Sequence, residues 1–287
     1  MANLKEIRAR ISSVGSTMQI TSAMKMVSAA KLKRAQDAIT QMRPYANKLR
    51  ELLVNLSSTL EGSDGGDFAQ EREVKKVLLV AITSNRGLCG AFNSNIIKKA
   101  KSLAENDYAD VDVSFLTIGK KGSEFFTNNS FTVRSVHDSL YDELTFENTS
   151  AIAEDIMQNF LCGEFDKVIL VYNQFKNAAT QLVQAEQFLP VETPTEEGAT
   201  IGDYIFEPSK EEIVKDLIPK SLKIQLFKGV LDSHASEHGA RMTAMHKATD
   251  NAGELKKDLT LTYNKARQAA ITAEILEIVG GAEALNG

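Results

Sequence analysis

Both ends of the chain carry apolar or small residues in alternating steps of three and four. Such steps are typical of a coiled-coil seam, and matching seams predict that the two ends pair as an antiparallel coiled coil. The stretch from about Ser221 to Ala284 contains no proline. As one helix it would be roughly 90 Å long, so most of it cannot be the core of a domain. The predicted seam residues are Leu4, Ile7, Ile11, Val14, Met18, Thr21, Met24 and Val27 at one end, and Leu231, Ala235, His238, Met242, Met245, Thr249, Ala252, Leu255, Leu259, Thr262, Ala266, Ala269, Ala273 and Leu276 at the other.

The carboxyl-terminal seam has two unusual features. It is rich in alanine and threonine, which bury little apolar area, so pairing alone would be weakly driven. Two successive steps of three near Ala252 predict a phase slip, which we interpret as a change of packing partner rather than a hinge. Arg43-Pro44 is expected to kink or interrupt the first helix, and the long final helix is expected to follow Pro219.

The middle of the chain consists of short apolar runs that alternate with helical segments. Val77–Ile82, Val111–Ile118 and Lys167–Tyr172 are typical of buried strands, and this alternation indicates a parallel or mixed sheet. The predicted fold class is α/β: a long antiparallel coiled coil of N- and C-terminal helices with an inserted Rossmann-like α/β domain. Residues 1–60 and 209–287 would be the coiled-coil helices, 61–73 a linker and 74–208 the inserted domain. Within that domain we predict helices over 93–103, 120–126 and 149–161, an antiparallel strand over 181–189 and a short edge strand over 204–206.

Composition and charge narrow the class of protein. The chain has 287 residues, of which 43% are hydrophobic, and no run reaches the length of a membrane-spanning helix. Its start lacks the apolar core of a secretory signal, and its two cysteines, Cys89 and Cys162, suggest buried thiols in a reducing compartment. Residues 1–60 carry ten basic and three acidic residues, whereas 61–219 carry 14 and 27. A basic end on an acidic body can face an acidic partner or be a solvated helix surface, and the sequence leaves both open.

The loop with the clearest sequence signal for a binding site is Thr83–Asn93, which lies between the first predicted strand and the helix that follows it. A glycine-rich turn that opens a helix is where α/β folds bind phosphates. The loop matches neither dinucleotide-binding nor P-loop spacing, and no acidic residue stands where a ribose partner is expected. We therefore favour a tight structural turn, and no cofactor is predicted.

The histidines and the basic residues of the first helix are weaker candidates for functional sites. His234 and His238 lie four residues apart, but they do not form H-E-x-x-H and have no third histidine near them in sequence. His238 also falls on the seam, where an interior histidine is the favoured interpretation, so no metal site is predicted. No catalytic triad is readable. The basic residues of the first helix lack an accompanying set of aromatic or amide side chains, which argues against nucleic acid as a partner.

Several long segments resemble one family. They are LKEIRARISSV, QITSAMKMVSAAKLKRAQ, SNRGLCGAFN, SEHGARMTAMHKATDNAGEL and LTYNKARQAAITAEILEIVGGAEAL, at both ends and in the inserted domain. They resemble the gamma subunit of F-type rotary, proton-translocating ATP synthases. The resemblance covers essentially the whole chain, and its terminal segments are long and specific.

The resemblance implies a central shaft rather than a catalyst. In that family the two terminal helices pair inside a ring of alternating alpha and beta subunits. The α/β domain forms a foot that contacts the epsilon subunit and the c-subunit ring of the membrane sector. Ion flow turns the shaft and drives the beta subunits through binding, synthesis and release of ATP. Nucleotide chemistry belongs to the ring, so no direct nucleotide binding is expected of this chain.

The resemblance also implies contact residues. Met24 and Lys25 would lie where the shaft meets the acidic lever segments of the beta subunits, and Lys31, Lys33 and Arg34 would suit the same segments. Further contacts with the ring would come from Arg241, Arg267, Gln268, Thr272 and Glu274, and contacts with the c ring from Tyr204, Phe206 and Glu207 in GDYIFEPS.

The chain departs in two ways from members of that family found in organelles. The chain lacks the cysteine-bearing insertion of chloroplast members, so redox gating is not expected. Without a transit peptide, a peripheral position on the cytoplasmic face of the bacterial membrane is the expected location.

The main rival hypothesis of function is an α/β phosphate- or nucleotide-binding enzyme with helical oligomerisation arms, which would need saturable nucleotide binding sensitive to Arg86. A basic coiled-coil protein that binds nucleic acid would show salt-sensitive retention on DNA.

Overall fold

The computed structural model describes residues 4–57, 68–70, 72–191 and 210–286. In this part of the chain, two long helices flank five strands and three shorter helices, which confirms the predicted fold class. None of the described helices combines the length and apolar character needed to cross a bilayer. The elements are α1 (Leu4–Ser57), β1 (Lys76–Ile82), α2 (Phe92–Ser102), a π-helical turn (Leu103–Asp107), β2 (Asp112–Ile118), α3 (Lys120–Asn128), β3 (Thr132–Val136), a 3₁₀ turn (Asp138–Tyr141), α4 (Phe146–Leu161), β4 (Lys167–Phe175), β5 (Gln181–Leu189) and α5 (Lys210–Asn286).

The chain divides into two compact units, and each is described by itself. One unit consists of Met1–Ser28 together with Met242–Gly287, and the other is Ala29–Arg241. We call them the coiled-coil unit and the α/β unit.

The α/β unit contains one sheet with strand order β3-β2-β1-β4-β5. The first four strands are parallel, and β5 is antiparallel to β4, as its sequence predicted. Strand β3 was not predicted, because Thr132–Val136 alternates exposed and half-buried residues instead of forming an apolar run. The predicted edge strand at 204–206 lies outside the described residues.

Both faces of the sheet are covered by apolar side chains. On one face, residues of β1 and β4 pack with α2, α3 and the phenylalanines Phe115 and Phe126, whose rings stack at 4.1 Å. On the other face, α4 and the first part of α5 supply the core. Gly119 follows β2 with φ 101°, and a Cβ there would lie 2.2 Å from the carbonyl oxygen of Thr83, so only glycine fits.

The predicted interruption at Pro44 and the predicted helix start after Pro219 are wrong, whereas a kink at Pro44 stays a prediction. Helix α1 runs through Pro44, and α5 begins at Lys210 and runs through Pro219. A helical proline removes one hydrogen bond, but Ile218, Leu222 and Leu226 next to Pro219 are buried in the sheet core. Burial of such side chains stabilises a helix by about 1.5–3 kcal/mol each, which offsets the loss.

In the coiled-coil unit the two helices are antiparallel, as predicted. Arg8 donates a hydrogen bond to the Tyr263 hydroxyl at 3.2 Å, and the hydroxyls of Thr21 and Thr249 are 2.8 Å apart. Partners later in the first helix are thus earlier in the second, which defines the antiparallel direction. Both contacts are polar, consistent with a seam that buries little apolar area.

The predicted phase slip near Ala252 is wrong. Leu255 is 50% exposed, and the seam position belongs to Lys256, which is partly buried over Gly15. On the first helix, Val27 is exposed and Ser28 is buried instead. Of the other predicted seam residues, Thr262, Ala269, Ala273 and Leu276 are exposed. The observed seam alternates steps of four and three without a break: Met245, Thr249, Ala252, Lys256, Leu259, Tyr263, Ala266 and Ala270.

Candidate functional site

The carboxyl ends of β1 and β4 form the topological switch point of the sheet. Parallel α/β sheets bind ligands in the crevice beside such a point. Here α5 covers it: Ser233 donates to the carbonyl oxygen of Ile82 at 3.4 Å, and Ser236 donates to that of Asn173 at 3.0 Å. Both serines are fully buried. The crevice that a nucleotide-binding domain would leave open is therefore occupied by this chain's own helix.

The loop Thr83–Asn93 is closed by its own side chains. The backbone N–H of Ser84 donates to Asn93 Oδ1 at 2.9 Å, and the Ser84 hydroxyl donates to the carbonyl of Arg86 at 2.7 Å. Cys89 of this loop is buried, and burial raises the pKa of its thiol. Cys162 is exposed, so the expectation of two buried thiols is wrong for that residue. These contacts are what the sequence interpretation as a tight structural turn requires.

Arg241 is buried in the α/β unit and fixes the same loop. Its guanidinium forms an ion pair with Glu237, and it donates hydrogen bonds to the carbonyls of Arg86 at 3.0 Å and Gly87 at 3.2 Å. Burial raises the pKa of Glu237, and the positive charge of Arg241 opposes that shift. In the described part of the chain, these partners of the Arg241 guanidinium all lie inside this unit. The sequence drew attention to Glu237 only as a neighbour of His234 and His238, and its pairing with Arg241 was not predicted, although their spacing of four residues is that of a helical ion pair.

The predicted contact residues of α1 are on or near its surface. Met24 and Lys25 are partly buried in the coiled-coil unit. Lys31, Lys33 and Arg34 are exposed in the α/β unit, where Lys33 forms an ion pair with Asp37 at 2.8 Å. The two groups belong to different compact units, so the structure describes them separately.

The predicted contact residues near the end of α5 are all exposed. Arg267, Gln268, Thr272 and Glu274 face solvent, and the Thr272 hydroxyl donates to the carbonyl of Gln268 at 2.9 Å. The remaining predicted contacts, Tyr204, Phe206 and Glu207, lie outside the described residues.

Exposed apolar residues at the same end of α5 were missed by the sequence reasoning. Single exposed apolar residues are ordinary, but a cluster on one element marks an interaction surface. The signal that could have found them is the presence of apolar residues around more than one face of the helix. This apolar end comprises Ile271, Ile275, Leu276, Ile278 and Val279, which are 45–71% exposed.

Comparison with known proteins gives one consistent family. A sequence model of the family described as ATP synthase matches residues 3–285. The ATP synthase gamma chain of Flavobacterium johnsoniae is 69% identical over the full length of both chains, and that of Cytophaga hutchinsonii is 54% identical, also over both full lengths. A chain from the central stalk and c-ring structure of the Tetrahymena thermophila mitochondrial ATP synthase is 28% identical with a TM-score of 0.59, covering 80% of this chain and 99% of that one. A chain of the Euglena gracilis mitochondrial ATP synthase rotor shares the fold at 21% identity, with a TM-score of 0.68 over 93% of this chain and 98% of that one.

Proposed function

The chain belongs to the ATP synthase family, as one of its gamma chains, and on that premise we propose that it is the central rotor shaft of an F-type ATP synthase. In this role it couples ion flow through the membrane c ring to ATP synthesis or hydrolysis in the ring of alpha and beta subunits. The chain itself is not catalytic and binds no nucleotide directly; the catalytic sites belong to the ring.

The apolar end of α5 is the observation that carries this proposal. Ile278 is 71% exposed and Leu276 is 66% exposed within the coiled-coil unit. At about 25 cal/mol per Å² of apolar surface, leaving several such side chains in water forgoes several kcal/mol. A surrounding sleeve of other subunits would recover that free energy, whereas an isolated enzyme with oligomerisation arms has no comparable need for it at a helix end.

A seam that buries little apolar area suits a shaft that must turn. An asymmetric shaft in a ring of equivalent sites presents a different face to each and so holds them in different states. Each change of state is a population shift, limited by the difference in contact energy between the states. Many modest charge and hydrogen-bond contacts suit this task, because a shaft that bound strongly at one angle would stall.

Contact roles follow from this proposal. The basic residues of α1 meet acidic lever segments of the beta subunits, with Met24 and Lys25 at that contact. Arg241 acts through the loop it fixes, since its own guanidinium is buried. The assigned residues are Met24, Lys25, Lys31, Lys33 and Arg34 for the lever, Arg241, Arg267, Gln268, Thr272 and Glu274 for the ring, and Tyr204, Phe206 and Glu207 for the c ring.

The proposed organisation keeps the divisions expected from the sequence. Residues 1–60 and 209–287 serve as the shaft, 61–73 as a linker and 74–208 as the foot that meets the epsilon subunit and the c ring. The assembled enzyme places the chain peripherally, on the cytoplasmic face of the bacterial membrane.

Co-expression with candidate alpha and beta subunits tests the proposal. We expect the chain to co-purify in a complex that hydrolyses ATP. A double variant, Ile275→Ser with Ile278→Ser, should fold normally but assemble poorly, because it removes apolar surface that the ring would bury. Leu161→Ser, at an exposed position of α4, is the matched control and should assemble like the wild type. Failure to enter the complex, or saturable ATP binding by the isolated chain that depends on Arg86, would overturn the proposal.

A further inference from the structure

In the coiled-coil unit, α5 continues beyond the stretch that α1 covers. Arg8 contacts Tyr263, and Lys256 lies over Gly15, so the numbers of facing residues add to the same value in both pairs. Helix α1 begins at Leu4, which in this register faces the position four residues beyond Tyr263. From that position α5 runs on for about five further turns. Over these turns, α1 supplies no facing residue in the described part of the chain.

This unpaired part of α5 carries a coiled-coil seam of its own. Ile271, Ile275, Ile278 and Ala282 follow one another in steps of four, three and four, which is coiled-coil spacing. We call these four residues the tip seam. All four are exposed. Because a short helix without packing is only marginally stable in water, a second helix along the tip seam would stabilise this part of α5.

The order of residues in the tip seam favours a second copy of the same helix running in the opposite direction. With Ile275 at heptad position a, Ile271 and Ile278 are at position d. Isoleucine at both positions disfavours a parallel pair of helices. When two tip seams are antiparallel and centred on each other, Ile275 of each copy faces Ile278 of the other. Each outer layer then combines Ile271 with the smaller Ala282, so the seam is complementary to itself.

The residues beside the tip seam are compatible with this antiparallel arrangement. Val279 is 54% exposed at the edge of the seam, and it would lie beside Thr272 of the second copy, where it extends the apolar contact. Glu274, at the other edge, would lie beside Gly281 of the second copy. Two carboxylates therefore do not face each other across the seam, and like charges do not oppose the pairing.

We infer that the chain, before it joins other subunits, forms an antiparallel dimer with a second copy of itself through the tip seam. A two-fold contact uses the same surface on both copies, so association stops at two chains. Specific interfaces bury at least about 1,000 Å², and a seam this short lies at the small end of that range, so the affinity is micromolar rather than nanomolar.

The dimer does not rest on the proposed rotor role, because it concerns the chain alone. Both uses require the same exposed side chains, so they exclude each other. Subunits that cover the tip seam would have to separate the two copies first. The dimer would thus keep this apolar surface out of water until assembly, which limits non-specific association of the free chain.

Sedimentation equilibrium of the full chain, without other subunits, tests the dimer. We expect the average mass of the wild type to rise from one chain toward two between about 1 and 100 µM. Ile278→Ser should weaken association at least about tenfold, since a symmetric dimer loses this central side chain twice. Leu276→Ser is the matched control, because Leu276 is 66% exposed on the same helix but lies off the tip seam. Its dissociation constant should stay within about twofold of the wild type.

Disulfide trapping distinguishes antiparallel from parallel pairing. In a Cys162→Ser background, which lacks the exposed native thiol, Ile275→Cys and Ile278→Cys are prepared separately and then mixed. In the antiparallel dimer these two positions face each other, so the mixture should cross-link much faster than either variant alone. The thiols of a single variant would be offset by three residues, about 4.5 Å along the helix. A parallel pair would instead cross-link each variant with itself.

Circular dichroism of each variant at low concentration establishes that it is folded before association is compared. The inference is overturned if the folded wild type stays monomeric up to about 0.1 mM, or if it forms trimers. It is also overturned if Leu276→Ser weakens association as much as Ile278→Ser, or if each cysteine variant cross-links alone as fast as the mixture. Association that survives Ile278→Ser but is lost in Val27→Ser would place the interface on the exposed surface of α1 instead.

Discussion

The two parts of α5 show how one helix can meet opposite conditions. Within the α/β unit, residues 216–241 are almost all buried or partly buried, and they include polar side chains such as Ser233, Ser236 and Glu237. Within the coiled-coil unit, Met245 and Ala252 are the only buried residues among those of α5 whose burial is described, and every residue from 271 to 282 is exposed. The first part is stabilised by its own domain, whereas the second depends on its partner helix and on whatever surrounds it.

This difference decides where substitutions should affect folding and where they should affect coupling. In the first part, side chains have interior partners, so a change removes contacts of the folded state. In the second part, most side chains have no interior partner in the described chain, so a change should leave the isolated subunit nearly as stable. The largest effects on stability are therefore expected in the first part.

Replacing Arg241 should have the largest effect on stability. Arg241→Met leaves the buried Glu237 without its partner and leaves the Arg86 and Gly87 carbonyls unbonded, which should cost about 3–5 kcal/mol in the free energy of unfolding. The double variant Arg241→Met with Glu237→Met should recover more than half of that loss. Urea denaturation of the three proteins measures both effects, and a single variant as stable as the wild type would contradict the ion-pair argument.

Acid should destabilise the α/β unit through His234 and His238. Burial lowers the pKa of His234 to about 4 and that of His238 to about 3 in the folded chain, against about 6.5 when unfolded, so the unfolded state binds protons first. The contribution of these two imidazoles to the free energy of unfolding is fully present above pH 6.5. It is lost as pH falls, by up to about 1.4 kcal/mol per pH unit for each imidazole. Asp232 acts oppositely, because burial raises its pKa to about 6.

The His238→Gln variant isolates the effect of one imidazole. Denaturation between pH 7 and pH 4.5 should show a shallower pH dependence for this variant than for the wild type. Asp232 is present in both proteins, so its opposing contribution cancels in the comparison. Parallel curves for the two proteins would show that folding does not lower the pKa of His238.

Removing the charge from the seam should stabilise the coiled-coil unit slightly. Lys256 occupies a seam position over Gly15, and a lysine at such a position lowers the stability of a coiled coil. Lys256→Leu should therefore stabilise helix pairing by about 1 kcal/mol. Lys257→Leu, at the exposed neighbouring position, is the matched control and should have almost no effect. Thermal melting followed by circular dichroism would distinguish them, and equal shifts would place the seam elsewhere.

The smallest stability effect is expected where the proposed coupling effect is largest. Gln268→Ala and Lys25→Ala should change the free energy of unfolding by no more than about 0.5 kcal/mol, yet weaken coupling partially in a reconstituted enzyme. Thr260→Ala, another exposed position of α5, serves as the control for altering the helix surface. A correctly folded Gln268→Ala subunit that supports unchanged torque and turnover would count against its assignment as a contact.

Much of the fold followed from apolar periodicity, and the failures have identifiable physical causes. The apolar runs in β1 and β4 indicated buried strands, and β2 was found although polar residues are interspersed among its apolar ones. The edge strand β3 has half-exposed residues and no such signal. At the seam, hydrophobicity favoured Leu255, but the regular spacing continues through Lys256, the end of whose side chain lies over Gly15. Pro219 was read as a helix boundary because local propensity ignores the burial of its neighbours.

The candidate contacts were less predictable than the fold. Family resemblance supplied Arg241 as a surface contact, but its ion pair with Glu237 depends on burial that the sequence does not reveal. Conversely, the apolar end of α5 was hidden within a seam pattern, because Leu276 fits the spacing of a buried position and is nevertheless 66% exposed. Periodicity identifies the face that could be buried, whereas the length of the partner helix decides how far burial continues.

The helix that covers the switch point of the sheet also has a mechanical consequence. Turning α5 about its own axis inside the α/β unit would break the hydrogen bonds of Ser233 and Ser236 to β1 and β4. It would also drive the backbone at Gly239 against Ala178, because even a Cβ added at Gly239 would approach the Ala178 Cα to 3.1 Å. These hydrogen bonds and this close packing therefore resist rotation of the segment within the α/β unit. In the proposed rotor, torque that reaches this segment would therefore be transmitted along the helix.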